Sequence, residues 1–199
     1  MAMTIGELIA STHKLESERR SKTKAPKRID NPVTVVNRNI GVFKPANYKV
    51  DDKNFMSRRV VLFTYLVNSH ENRAPDPKWR QGAPNGKGMS GGDYRVFIFV
   101  PQVNVRTAKT SGRSAQIGKG KFMKPIEITQ TKVKVRCDCA DFRWRFAYYN
   151  AKHKALYGAM PPPYVAKGNR PPVNPNERPG ACKHIMTVFS FMKREGLIV

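Results

Sequence analysis

The chain has 199 residues and a formal net charge of +23, with 37 lysines and arginines against 14 acidic residues. At 40% hydrophobic it can bury a core, which excludes a wholly disordered chain, and no apolar run has the length of a membrane span or the pattern of a signal peptide. The positive excess is more than solubility needs and points to a polyanionic or acidic partner.

In chain order, Thr4 followed three residues later by Glu7 has capping-box spacing, and Ile5, Leu8, Ile9, Thr12 and Leu15 continue as a helical stripe. A helix that short is marginal in water, so it either docks, on this domain or on a neighbouring subunit, or is a frayed terminus. Residues 19–32 are basic and lack a core-forming pattern, so 1–32 is expected as a short helix with an extended basic arm. A β-rich region, 33–125, follows. Val33–Val36 and Ile40–Phe43 are short strand-like pieces, and 59–67 is an apolar strand expected to be buried on both faces. Residues 68–92 form a long loop rich in Asn, Pro and Gly, without the lysine-terminated spacing of a phosphate-binding loop. Residues 93–106 form a second strong strand, in which Pro101 predicts an edge or a bulge.

Residues 107–124 contain cations and no acid, and Arg113, Lys119, Lys121 and Lys124 make this basic finger a candidate phosphate contact, or a solvated hairpin tip. The apolar parity changes between Ile126/Ile128 and Val133/Val135, which places a turn or bulge near Gln130-Thr131. Lys132, Lys134 and Arg136 then share the face opposite the valines. Residues 140–156 read as a helix capped by Asp141, with Phe142, Phe146 and Tyr149 inward and Arg143, Trp144, Arg145 and Tyr148 partly outside. Arg143 and Arg145 among aromatics can stack on bases, although such aromatic density also suits the core of a small domain. A proline-rich insert, 159–181, is stiff and extended. Ile185, Val188, Phe189 and Met192 form the apolar face of a last helix that Gly196 stops.

All three cysteines belong to one pattern, Cys137-x-Cys139 followed much later by Cys182-x-His184. Three thiols and an imidazole are a common structural zinc set. Cys137 ends a strand-like run, and Cys182 and His184 open a helix whose dipole favours thiolate. Buried thiols or a disulfide are the alternatives, but an odd number of cysteines leaves one over in any disulfide scheme. His153, between two lysines, reads as a solvent-facing helix residue more than as a substitute ligand.

This order of ligands resembles the SWIM zinc finger, a strand-turn-helix module of proteins that bind DNA or other proteins, over residues 126–199. The departure is the long gap between Cys139 and Cys182. Cys139–Phe146 (CADFRWRF) and Asn174–His184 (NPNERPGACKH) look like the long-insert SWIM-like proteins encoded by tailed bacteriophages. The resemblance implies zinc and a phage setting.

The expectation is therefore an α+β fold: a β-rich domain continuing into a zinc-stapled strand-helix-helix module, with an extended basic N-terminal arm. Cys137, Cys139, Cys182 and His184 would hold zinc with no position left for catalytic water, and no catalytic constellation stands out. A non-enzymatic structural or connecting protein of a bacteriophage particle is the first reading, with protein subunits as partners in the virion or the host cytoplasm. A SWIM-type nucleic-acid-binding protein is the second, and a zinc- or nucleotide-dependent enzyme the third. Neither a membrane nor a small-molecule substrate is expected.

Overall fold

The computed structural model describes residues 2–22, 33–43, 57–69, 93–106, 114–165 and 174–199. The expectations for 23–32, 70–92, 107–113 and 166–173 lie outside the described residues; these include most of the basic arm, nearly all of the glycine-rich loop, Arg113 and the middle of the proline-rich insert.

The architecture is α+β, an antiparallel sheet with few helices. Its elements are β1 (Met3–Thr4), α1 (Ile5–Lys22), β2 (Thr34–Phe43), β3 (Ser57–Asn68), β4 (Asp93–Arg106), β5 (Ala115–Gly118), β6 (Lys121–Met123) and β7 (Lys132–Cys137). A helical run follows as α2 (Ala140–Phe142), a π-helical turn (Arg143–Ala147) and α3 (Tyr148–Lys152), and α4 (Lys183–Arg194) comes last. The sheet order is β1-β7-β4-β3-β2, with β6 paired to the far end of β4 and β5 to β6.

β3 and β4 form the middle of the sheet. Val61, Phe63, Tyr65 and Val67 of β3 are fully buried, as are Val96, Ile98 and Val100 of β4. The alternate residues Leu62, Thr64 and Leu66 are only half-buried. The expected burial of β3 on both faces is thereby corrected, because no described helix lies on its second face. Between Arg59 and Val61 the pairing shifts register opposite Val100–Val103, so Pro101 falls in a bulge, where its missing N–H is tolerated.

The inner face is closed by α4, whose Ile185, Val188, Phe189 and Met192 are buried as the periodicity requires. The Phe191 ring meets Tyr65 edge-on at 5.9 Å. Gly196, at φ +67°, ends the helix in a Schellman motif: Leu197 N–H donates to the Met192 carbonyl at 2.9 Å and Gly196 N–H to Lys193 at 3.1 Å. The C-terminal residues then lie beside 126–128 as a short parallel bridge. A turn closed by Thr131 N–H on the Glu127 carbonyl produces the parity change before β7.

At the other end the capping box is made. Thr4 N–H donates to Glu7 Oε2 at 2.7 Å and Glu7 N–H to Thr4 Oγ1 at 3.1 Å. The bond from the Thr4 backbone is the main cause holding the Glu7 carboxyl below its usual range. α1 docks on this chain's own core: Ile5, Leu8 and Leu15 are buried, and Gly6 N–H donates to the Ile128 carbonyl at 2.9 Å. Ser11 Oγ donates to the Pro179 carbonyl, and Thr12 Oγ1 accepts from Ala181 N–H. The described end of the proline-rich insert is therefore a strap lying on α1.

That strap is tightly fitted at Gly180. An added Cβ would come within 2.7 Å of the Phe146 ring and 2.9 Å of Thr12 Oγ1. Gly180→Ala is expected to cost about 1–3 kcal/mol through overpacking, read as a lower urea midpoint; an unchanged midpoint would contradict this packing.

Three local expectations change. Thr34–Val36 and Ile40–Phe43 belong to one strand, β2, with Val33 just before it, and the strand passes through Asn37-Arg38-Asn39 because an edge strand tolerates exposed polar residues. The described part of the basic finger is the β5–β6 hairpin, turning at Lys119-Gly120 with Gly120 at φ +64°. The helical run is capped by Cys139 in place of Asp141, which lies in the first turn. No helix among the described residues is long and apolar enough to cross a membrane.

Candidate metal centre

The four ligand residues arrive from three elements. Cys137 is the last residue of β7 and pairs with Val96, so its side chain faces inward with the core. Cys139 is the N-cap of α2, Cys182 is the N-cap of α4, and His184 lies in the first turn of α4. Both caps have extended backbone (φ −75° with ψ 152° and 169°), and at Cys139 the thiol also lies across its helix start. The C-x-C spacing works because the chain passes from strand to helix within those residues.

The side chains converge in the core. Their candidate ligand atoms lie within 4.8 Å of one another, and each residue is at most 3% exposed. His184 Nδ1 is 3.7 Å from Cys137 Sγ and 3.9 Å from Cys182 Sγ. A tetrahedral zinc with Zn–S of about 2.3 Å and Zn–N of about 2.0 Å separates sulfur from nitrogen by about 3.5 Å. Both distances to His184 are close to that separation, and the group as a whole could hold a metal ion. The donor set, thiolate-rich with one imidazole, belongs to soft or borderline cations and not to magnesium or calcium.

The surroundings prepare the thiols for a cation. Phe142 N–H donates to Cys139 Sγ at 3.3 Å, and Cys139 N–H to Cys137 Sγ at 3.5 Å. Burial pushes the Cys137 and Cys139 thiols well above their usual range. Burial acts on Cys182 too, but bonding to the other two thiols and to His184 outweighs it and brings that thiol well below. Three buried sulfurs without a cation would thus share charge poorly. A bound divalent ion removes that conflict by stabilising all three as thiolates.

Asp138, between the two cysteines, is buried but takes no part in the cluster; its Oδ2 pairs with Arg95 Nε at 3.0 Å, and its N–H donates to the Arg95 carbonyl. This pins the turn that carries Cys137 and Cys139. The Tyr94 ring lies 4.5 Å from that of His184, tilted by 34°, and packs against the imidazole. Sequence reasoning missed both supports. Arg95, a cation within an apolar strand, was the one available signal, whereas Tyr94 looked like any core aromatic.

The cationic residues separate into two groups. Lys119 and Lys121 are exposed on the hairpin, and Lys124, also exposed, pairs with Glu127 at 3.0 Å. Lys132 is exposed beside Glu7 at 3.5 Å, and exposed Lys134 has its ammonium 5.8 Å from the Phe99 ring centre. Half-buried Arg143 stacks 4.3 Å over exposed Trp144. Arg136 and Arg145 correct the expected exposure, since both are buried. Arg136 Nη1 donates to the Tyr157 carbonyl at 3.3 Å, and burial is the main cause lowering its pKa. Arg145 joins Glu16 of α1 and Asp141, the latter at 3.5 Å, as an internal clamp. His153 is exposed and stands apart from the cluster.

No family profile, curated protein or solved structure matches the chain.

Proposed function

We propose that this chain is a non-enzymatic, zinc-stapled protein that binds nucleic acid through its exposed cations. The supporting observation is the buried cluster: four side-chain donors lie within 4.8 Å of one another, a full set for a tetrahedral ion, and zinc held by all four would be a scaffold with no position for a substrate or a reactive water. The working surface must then lie elsewhere, and the surplus of +23 gives it its chemistry. Lys119 and Lys121 stand at a hairpin tip, with Lys124 just beyond it. Lys132 and Lys134 occupy the exposed side of β7.

Converting Lys119, Lys121 and Lys124 together to glutamine is expected to reduce the slope of log affinity against log salt. The reduction should be about 0.7–0.9 for each phosphate that is no longer neutralised. A slope identical to wild type would remove the hairpin from the interface.

A connecting role in a bacteriophage particle is the second reading. β2 favours it: among the described residues this ten-residue edge strand pairs only with β3, leaving a ladder edge that a neighbouring subunit can extend. Co-sedimentation with intact virions after a high-salt wash supports that reading; release into the wash opposes it.

A further inference from the structure

The sheet has two unlike faces, and the second one is not used by the metal centre. Its composition follows from the register. Gly41, Leu62, Phe99 and Lys134 lie abreast across β2, β3, β4 and β7. In the next row are Asn39, Thr64, Phe97 and Arg136, with Arg95 one step further along β4. Adjacent rows on a sheet face are two residues apart along each strand, so these side chains form a continuous surface.

Aromatic rings run across it. Tyr157 stacks on Phe99 with centroids 5.5 Å apart and an interplanar angle of 22°, and it also meets Phe97 at 5.7 Å. Phe43, 52% exposed, folds its ring over Gly41, where an added Cβ would come within 2.6 Å of it. Gly41 thus leaves a gap that lets Phe43 lie flat. Cations flank the rings: the Arg95 guanidinium is 5.6 Å from the centre of Phe97, and the Lys134 ammonium 5.8 Å from that of Phe99. Asp138, paired with Arg95, is the carboxylate at this margin. α4 covers the inner face; on this one Arg136 and Phe97 are buried, Phe99 and Tyr157 are half-buried and Lys134 is exposed.

We infer that this outer sheet face binds single-stranded nucleic acid, with bases stacked on Phe99, Tyr157 and Phe43 and phosphates met by Lys134 and Lys132, the exposed cations of β7. The inference rests on the nucleic-acid reading above and specifies its strand form and site. A hydrophobic protein partner would not require the cationic border, and the chain's overall charge complements a polyanion. A duplex does not offer its base faces to a sheet; unpaired bases do, and aromatic platforms with flanking cations hold them with little sequence preference.

The test uses the full, metal-loaded chain and fluorescence anisotropy with an oligothymidylate of about twenty nucleotides, which exceeds the roughly 4–16 nucleotides of a typical single-strand site. The matched mixed-sequence duplex is the comparison. Wild type is expected to prefer the single strand. Phe43→Ala and Phe99→Leu should each weaken that binding about tenfold, within the range for removing one stacking partner, while leaving the salt slope in place. Ultraviolet cross-linking of the wild-type complex should attach thymine to peptides containing Phe43, Phe99 or Tyr157. Phe43 is exposed enough that its truncation leaves the fold intact, so the test survives if Phe99→Leu proves unstable. Salt-dependent binding that is equal for both strand forms and unaffected by Phe43→Ala would overturn the sheet assignment and leave the cationic reading standing. No binding to either strand form at low salt would overturn both.

Discussion

Cys137→Ser is expected to release the metal and abolish cooperative folding. In zinc-finger peptides a structural zinc site contributes about 10–16 kcal/mol at neutral pH, whereas a whole domain is stable by only about 5–15 kcal/mol. A serine hydroxyl is a poor replacement for a thiolate, and the other three donors would remain buried without their shared ion. The consequence reaches past the C-terminal residues. Cys137 ends β7, which pairs with β4 in the middle of the sheet, and Cys182 caps the helix that closes the inner face. Metal content by atomic emission and a melting curve by circular dichroism read the two effects separately. Wild-type metal content together with an unchanged melting temperature would contradict the account.

Deleting residues 1–22 should be nearly as damaging, although the sequence presents this segment as part of an arm. Ile5, Leu8 and Leu15 are buried, and each such side chain contributes about 1.5–3 kcal/mol. Removing Glu16 also leaves the buried Arg145 guanidinium with Asp141 at 3.5 Å as its remaining carboxylate partner. Breaking a buried pair in this way costs about 3–5 kcal/mol. Thr12 holds the N–H of Ala181, next to Cys182, so the deletion should lower metal affinity as well as stability. The narrower Glu16→Gln change keeps the helix and should cost about 1–3 kcal/mol, the usual range for losing a charged hydrogen-bond partner. Urea denaturation compares the variants; a deletion that unfolds at the wild-type midpoint would show that α1 does not belong to the core.

What the sequence revealed depended on how local the cause was. The Thr4–Glu7 box, the stop at Gly196 and the apolar face of α4 are each decided within a few residues, and each appears as expected. The Cys₃His set was legible despite its long gap because all three cysteines and a closely spaced histidine have few other uses. The burial of Arg145 was not legible. Its partner Glu16 is 129 residues away, and nothing near Arg145 distinguishes an inward guanidinium from an outward one. Similarly, α1 is fixed by Pro179 and Ala181 from the opposite end of the chain. Polar Asn37-Arg38-Asn39 looked like a break between strands, yet an edge strand with one open face needs few apolar residues. Cys139 took the capping role assigned to Asp141 because its thiol, already turned toward the cluster, also accepts the Phe142 N–H.

The central claim is a closed zinc site of three sulfurs and one imidazole nitrogen. X-ray absorption at the zinc edge of the purified chain tests it directly. The account predicts a four-coordinate first shell with sulfur at about 2.3 Å in a three-to-one ratio to nitrogen at about 2.0 Å, and no oxygen from water. A shell containing an oxygen ligand and fewer sulfurs, or a purified chain carrying no zinc, would contradict it.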